Sequence, residues 1–212
     1  DQTRYIFETN TIGASDGTVK VDDVVETANH FKCIDMIIDS ANHMLSEAFI
    51  KQLHAVLKNG TSDSRLDWFA VGDYKTVPNV LGPGLVETSP PEKTQSDMRR
   101  LLKRYAAVRT PKLEDILDFH YRFEVIHPFQ DCNGIIGRML VYKECLNYGL
   151  VPSLPDCERR ETYISGLDEY HRNKKKLWEE FVRCQSLYGE VCEAYFEKKK
   201  NTKTESVFSE YI

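Results

Sequence analysis

Apolar residues recur along most of the chain at intervals of three and four, the period of an amphipathic helix. Val24, Val25, Ala28, Phe31, Ile34, Ile37 and Ile38 make the first such stripe, with Asp22 or Asp23 placed to cap its helix. A second helix is predicted over 46–57, with Phe49, Leu53, Val56 and Leu57 inward and Asn59-Gly60 to end it. Thr110-Pro111 opens a third, over Leu113, Ile116, Leu117, His120 and Phe123, and 134–146 forms a fourth, closed at 147–149. Residues 159–200 supply at least two more, with Tyr163, Leu167, Leu177, Phe181, Leu187 and Phe196 as core positions. The period fails between 70 and 91. There 71–80 and 85–87 flank Gly82-Pro83-Gly84 as strand, turn and strand, and Ser89-Pro90-Pro91 precedes a helix around 98–105. The expectation is a mainly α fold, a helical domain over 21–200 with one hairpin at about 74–88. It is preceded by a segment 1–20 and followed by a solvated tail, 201–212, beyond the charged run at 197–203.

Composition narrows the class of partner. There are 28 Lys and Arg against 33 Asp and Glu, a net charge of −5, and the mean hydropathy is −0.47. Nucleic-acid binders carry a basic face, so nucleic acid is not the expected partner. No run approaches the roughly 18 consecutive apolar residues of a membrane span, and no basic then apolar leader is read at Asp1. Cysteines at 33, 132, 145, 157, 184 and 192 include no pair two residues apart, which excludes a zinc ribbon and a CxxC redox pair. Scattered thiols suit a reducing compartment, so the expected location is the cytoplasm.

The chain has no GxxxxGK[ST] loop, HExxH or GxSxG elbow. Glu124-Val125-Ile126-His127 has the spacing of a di-iron carboxylate ligand pair, but no other histidine has Glu three residues before it. Chemistry concentrates in residues 126–138. A helix ending near Ile126 runs into Pro128, and Asn133-Gly134 opens the next one. Such a junction directs unpaired N–H groups and the positive end of a helix dipole at one point, an anion site that phosphate commonly fills. Asp131 stands where a carboxylate can hold Mg²⁺ against phosphate. Arg138, one turn into the helix, reaches the same anion with its forked guanidinium, and His127 can take a proton from an incoming hydroxyl. Singly, each residue has an ordinary structural role, since a helix-end His is a common cap and Asp-x-Asn-Gly a common turn. Together, within twelve residues, they are the parts of a nucleotide-dependent transferase.

The order of these residues resembles the signature of Fic-domain proteins, His-x-Phe-x-Asp/Glu-Gly-Asn-Gly-Arg-x-x-Arg. His127, Phe129, Asp131, Asn133, Gly134 and Arg138 match it; Cys132 stands for Gly and Ile135 for the first Arg. The stretches 29–32, 53–74, 119–124 and 163–167 also look like small bacterial Fic proteins, so the similarity spans roughly four-fifths of the chain. The resemblance implies transfer of AMP from ATP, with Mg²⁺, to a Ser, Thr or Tyr hydroxyl of a target protein. By it His127 is the general base, Asp131 the metal ligand and Arg138 the γ-phosphate anchor. Asn133 and Gly134 line the anion hole, and Phe129 packs the loop. Gly137, Cys132 and Ile135 complete the expected nucleotide-binding set.

The hairpin falls where the family carries a flap that docks the target by strand addition, here Thr76, Val77, Pro78, Asn79 and Val80. Many members are silenced by a helix bearing Ser/Thr-x-x-x-Glu, whose place is taken here by residues 9–14, with Thr9 first and Gly13 at the Glu position. Homodimers are common in the family. Cys132 at a position suited to glycine is expected to deform the cradle and crowd phosphate, and a thiol at a helix start can be acidified and redox-sensitive. Ile135 removes a cation from the transition state. Alternatives are therefore a degenerate module that binds nucleotide or a partner with weak or no transfer, or transfer of another phosphate-containing group.

Overall fold

The computed structural model of the chain describes residues 11–14, 17–81, 86–155 and 159–209, with side chains described over 18–80, 88–155 and 159–197. Its elements fall into two compact units that divide after Asn147, inside the span expected to be one domain. The first unit begins with a short antiparallel hairpin, β1 (Thr11–Ala14) and β2 (Gly17–Lys20), in which Gly13 faces Thr18. Gly13, at the position expected of the inhibitory Glu, lies in β1. Thr9 lies outside the described residues.

Helix α1 (Val21–Asp39) starts without a side-chain cap, and Asp22 and Asp23 instead occupy its first turn, where carboxylates suit the helix dipole. Its inward face coincides with the predicted stripe only in part. Asn29, Cys33 and Ile37 are buried, whereas Val24, Phe31 and Ile38 are exposed. The Asn29 amide donates to the carbonyls of Leu57 (3.1 Å) and Asn59 (2.8 Å), which would otherwise be orphaned at a helix end. The inward face of the helix thus joins the apolar Cys33 and Ile37 to an amide that satisfies two carbonyls at the end of α2.

Ser46 caps α2 (Glu47–Leu57) by accepting from the Phe49 N–H at 3.2 Å. The chain leaves α2 through Gly60, at φ 81°, and two 3₁₀ turns at Asp63–Arg65 and Asp67–Phe69. The predicted strand over 71–80 is mostly absent. Only β3 (Val80–Leu81) pairs with β4 (Val86–Glu87), with Val80 opposite Glu87. Gly72, at φ 76°, passes so close to α2 that a Cβ there would sit 2.8 Å from that of Ala55. Beyond it, Lys75, Val77 and Asn79 are tied by hydrogen bonds to the loop at 126–130. The turn 82–85 lies outside the described residues.

Helix α3 (Pro91–Ala106) has proline in its first turn, where no N–H is needed. On α4 (Leu113–Ile126) all five predicted inward residues, Leu113, Ile116, Leu117, His120 and Phe123, are buried. Helix α5 (Asn133–Asn147) buries Ile136, Met139, Leu140, Val141 and Cys145 around most of its circumference and touches α1, α2 and α4.

The second unit pairs α6 (Arg160–Glu169) with α7 (Lys175–Ser209), closely enough that a Cβ on Gly166 would come within 3.1 Å of the Leu177 backbone. Tyr163, Leu167, Leu177 and Phe181 are buried as expected; Leu187 and Phe196 are exposed. Helix α7 outruns the shorter α6 and continues through much of the expected tail. Among the described residues no helix is long and apolar enough to cross a membrane.

Candidate active site

The loop between α4 and α5 is set by two residues in the left-handed region. His127 ends α4 at φ 51°, and Cys132 precedes α5 at φ 61°. Pro128 stops the helix, and the turn then closes on itself. Asn133 Oδ1 accepts from the Phe129 N–H (2.7 Å) while its Nδ2 donates to the Phe129 carbonyl (2.8 Å), and the Ile136 N–H starts α5 by donating to the Cys132 carbonyl (3.0 Å). Asn133 therefore shapes the loop through its side chain. Phe129 is wholly buried against His54, Tyr74 and Phe123.

His127 Nδ1 lies 3.2 Å from the Glu124 carbonyl. A carbonyl only accepts, so Nδ1 carries the proton and Nε2 is left as the basic nitrogen. Burial holds the imidazole at about 4, well below its ordinary value, so the ring is neutral and able to accept a proton at neutral pH. Asp131 has over half its side chain exposed. Burial of the remainder opposes its charge, but the Cys132 backbone N–H and the Lys58 ammonium outweigh this and hold the carboxyl below its usual range.

Lys58 is almost wholly buried and reaches three carboxylates, Glu26 (2.6 Å), Asp63 (2.7 Å) and Asp131 (3.2 Å). Burial alone would lower its basicity, but the hydrogen bonds to Asp63 and Glu26 raise it, so it stays an ammonium. Cys132 Sγ sits 3.6 Å from both Glu26 and Asp131. Burial, followed by those two carboxylates, pushes its thiol up, so the acidified, redox-sensitive thiolate expected from its place at a helix start is not formed.

Glu26, Asp131 and Cys132 bring three potential metal ligands within 4.8 Å of one another. The ionised oxygen of Asp131 suits a hard cation such as Mg²⁺; the protonated sulfur does not. Arg138 lies beside the start of α5, since a Cβ on Gly134 would meet its guanidinium at 3.2 Å. Its charge is felt by His30 on α1 and by His120 and Glu124 on α4.

Apart from Glu26 and His30, these features sit inside the region that the Fic/DOC family profile matches, residues 44–145. That span is a Fic domain. A probable protein adenylyltransferase of Aquifex aeolicus is 37% identical over 76 residues, which is 35% of this chain and only 23% of that relative. The fold resembles that of a Fic-domain-containing signalling protein of Bacteroides thetaiotaomicron, with TM-score 0.69, 23% identity, and coverage of 91% of this chain and 80% of that one. Fic-1 of C. elegans matches with TM-score 0.70 at 17% identity, over 95% of this chain and 58% of that one.

Within this Fic domain the predicted site residues separate into groups. His127, Asp131, Cys132, Asn133, Gly134 and Arg138 share the loop and the start of α5. Gly137 instead permits α4 and α5 to approach, because a Cβ there would lie 2.4 Å from Glu124 Oε1 and 3.0 Å from His120. Ile135 is half-buried. Of the flap residues, Thr76, Val77, Pro78 and Val80 are exposed, whereas Asn79 turns inward and donates to the Phe129 carbonyl at 2.8 Å. Sequence reasoning missed Glu26, Lys58 and Lys75, which come from distant segments, and assigned Glu124 no role. His54, stacked on Phe129, likewise belongs to no motif. The missing signal is spatial, because none of these residues belongs to the contiguous motif.

Proposed function

We propose that the chain is a protein adenylyltransferase that moves AMP from ATP to a Ser, Thr or Tyr hydroxyl of another protein. The observation that carries this reading is the state of His127, a neutral imidazole with its proton fixed on Nδ1 by the Glu124 carbonyl. In this reading Nε2 accepts the hydroxyl proton as the oxygen attacks the α-phosphorus and pyrophosphate leaves. Asp131 would hold Mg²⁺, which when bound neutralises phosphate charge. The start of α5 offers backbone N–H groups to phosphate, and Arg138 beside Gly134 supplies a cation at the same end. Thr76, Val77, Pro78 and Val80 are exposed, and in this reading they form the surface on which a target segment docks.

A second reading, nucleotide or partner binding with weak transfer, is favoured by two residues. Ile135 brings no cation to the helix start, and Cys132 holds at φ 61° a conformation that costs a side-chain-bearing residue on the order of 1 kcal/mol. Incubation with Mg²⁺ and ATP labelled at the α-phosphate, alongside a His127→Ala variant, separates the two. His127-dependent α-label on protein supports adenylylation. Nucleotide binding without label supports the binding module, and label from the γ-phosphate alone indicates a kinase.

A further inference from the structure

Lys75 is buried at 3% exposure, and among the described residues no carboxylate pairs with its ammonium. Its partners are neutral oxygens from three places: Asn79 Oδ1 before β3 (2.6 Å), Thr88 Oγ1 after β4 (2.8 Å) and the carbonyl of Ile126 at the end of α4 (3.2 Å). Its backbone N–H donates to the Pro128 carbonyl at 2.8 Å. Burial lowers the ammonium to about 8, so the lysine is held at a cost that simple packing would not require.

The placement is explained by what it joins. Ile126 and Pro128 flank His127, while Asn79 and Thr88 stand at the two feet of the hairpin. Asn79 makes the second link, donating through Nδ2 to the Phe129 carbonyl (2.8 Å) while its own carbonyl accepts from the Thr88 hydroxyl (2.7 Å). A third runs from the Val77 N–H to Gln130 Oε1 (3.3 Å). An ammonium has three N–H donors on one atom and so can hold three acceptors from separate segments at once.

We propose that Lys75 is a positioning residue that locks the feet of the flap hairpin to the loop carrying His127, so that the target-docking edge and the general base move as one body. The structural half of this proposal stands on the hydrogen bonds alone; the catalytic half rests on the adenylyltransferase reading above.

Amide hydrogen exchange on the full chain tests the structural half without any turnover. Lys75→Met keeps an aliphatic stem but removes all three donors. It should raise exchange about tenfold, the worth of a lost buried hydrogen bond, in segments 76–81 and 127–133 together, with α3 unchanged. Lys75→Arg should restore protection, and Asn79→Ala, which cuts the second link, should reproduce the joint opening. Opening of the flap segment alone, equal loosening of α3, or no change would overturn the lock. If the wild type transfers AMP, Lys75→Met should lower kcat with KM for ATP nearly unchanged, and an unaltered kcat removes the catalytic half. A wild type that labels no protein refutes the adenylyltransferase reading, and the exchange result still decides the lock.

Discussion

The imidazole of His54 lies flat on the ring of Phe129, with centroids 4.1 Å apart and planes 8° from parallel. Its Nδ1 accepts from the Gly72 N–H at 3.0 Å, and burial keeps the ring neutral, at about 4. A side chain of α2 thus holds both the approach to the flap and the centre of the signature loop. Phe129→Ala removes one face of this stack from a fully buried position and should cost about 3–5 kcal/mol. Urea denaturation of both proteins checks this, and Phe129→Leu should lose distinctly less.

His127→Ala should abolish labelling while retaining nucleotide binding, because in the proposed reaction the residue acts on the hydroxyl and not on phosphate. Burial keeps its ring neutral down to about 4. The acid limb of the rate therefore belongs below about pH 5, where the base becomes protonated, and not near the ordinary histidine value of about 6.5. A rate profile from about pH 4 to 8 at saturating ATP and Mg²⁺ measures it.

Two substitutions rebuild the full family pattern. Cys132→Gly relieves a left-handed side-chain-bearing residue and should stabilise the loop by on the order of 1 kcal/mol. Ile135→Arg adds a cation at the helix start and should raise transfer on the order of 10²-fold. Rates of α-label incorporation for the two single variants and the double variant show which departure limits activity.

Glu124 lies buried between α4 and α5, and burial raises its carboxyl to about 7, with the field of Arg138 pulling the other way. The folded value lies above the unfolded one, so its contribution to stability is complete below about pH 4.5 and is lost as pH rises to 7. Glu124→Gln cannot ionise and should gain on the wild type steadily over that window. Urea midpoints at about pH 5 and pH 7 provide the comparison.

Gly137→Ala should destabilise by about 1–3 kcal/mol, because the new methyl would press on buried Glu124 and His120. A measured cost near zero would mean that α4 and α5 can part without penalty.

Much of this protein was legible in one dimension. The period of three and four placed α2, α4 and α5, and every predicted inward residue of α4 is buried, because a helix packed along one face repeats its chemistry at that interval. The contiguous run from His127 to Arg138 identified the loop, since one turn and one helix start suffice to gather its groups. Tertiary structure decided the rest. Asn29 took a place on the inward face of α1 beside Cys33 and Ile37, because two carbonyls at the end of α2 accept from its amide. Lys75 and Asn79 replaced most of a predicted strand with side-chain links to the loop. Lys58 gathered Glu26, Asp63 and Asp131 from across the chain, and Cys132 became a raised thiol among carboxylates where sequence suggested an acidified one. Local periodicity records which faces are apolar; the partners of buried polar groups are far apart in sequence, and only folding sets them within hydrogen-bonding distance.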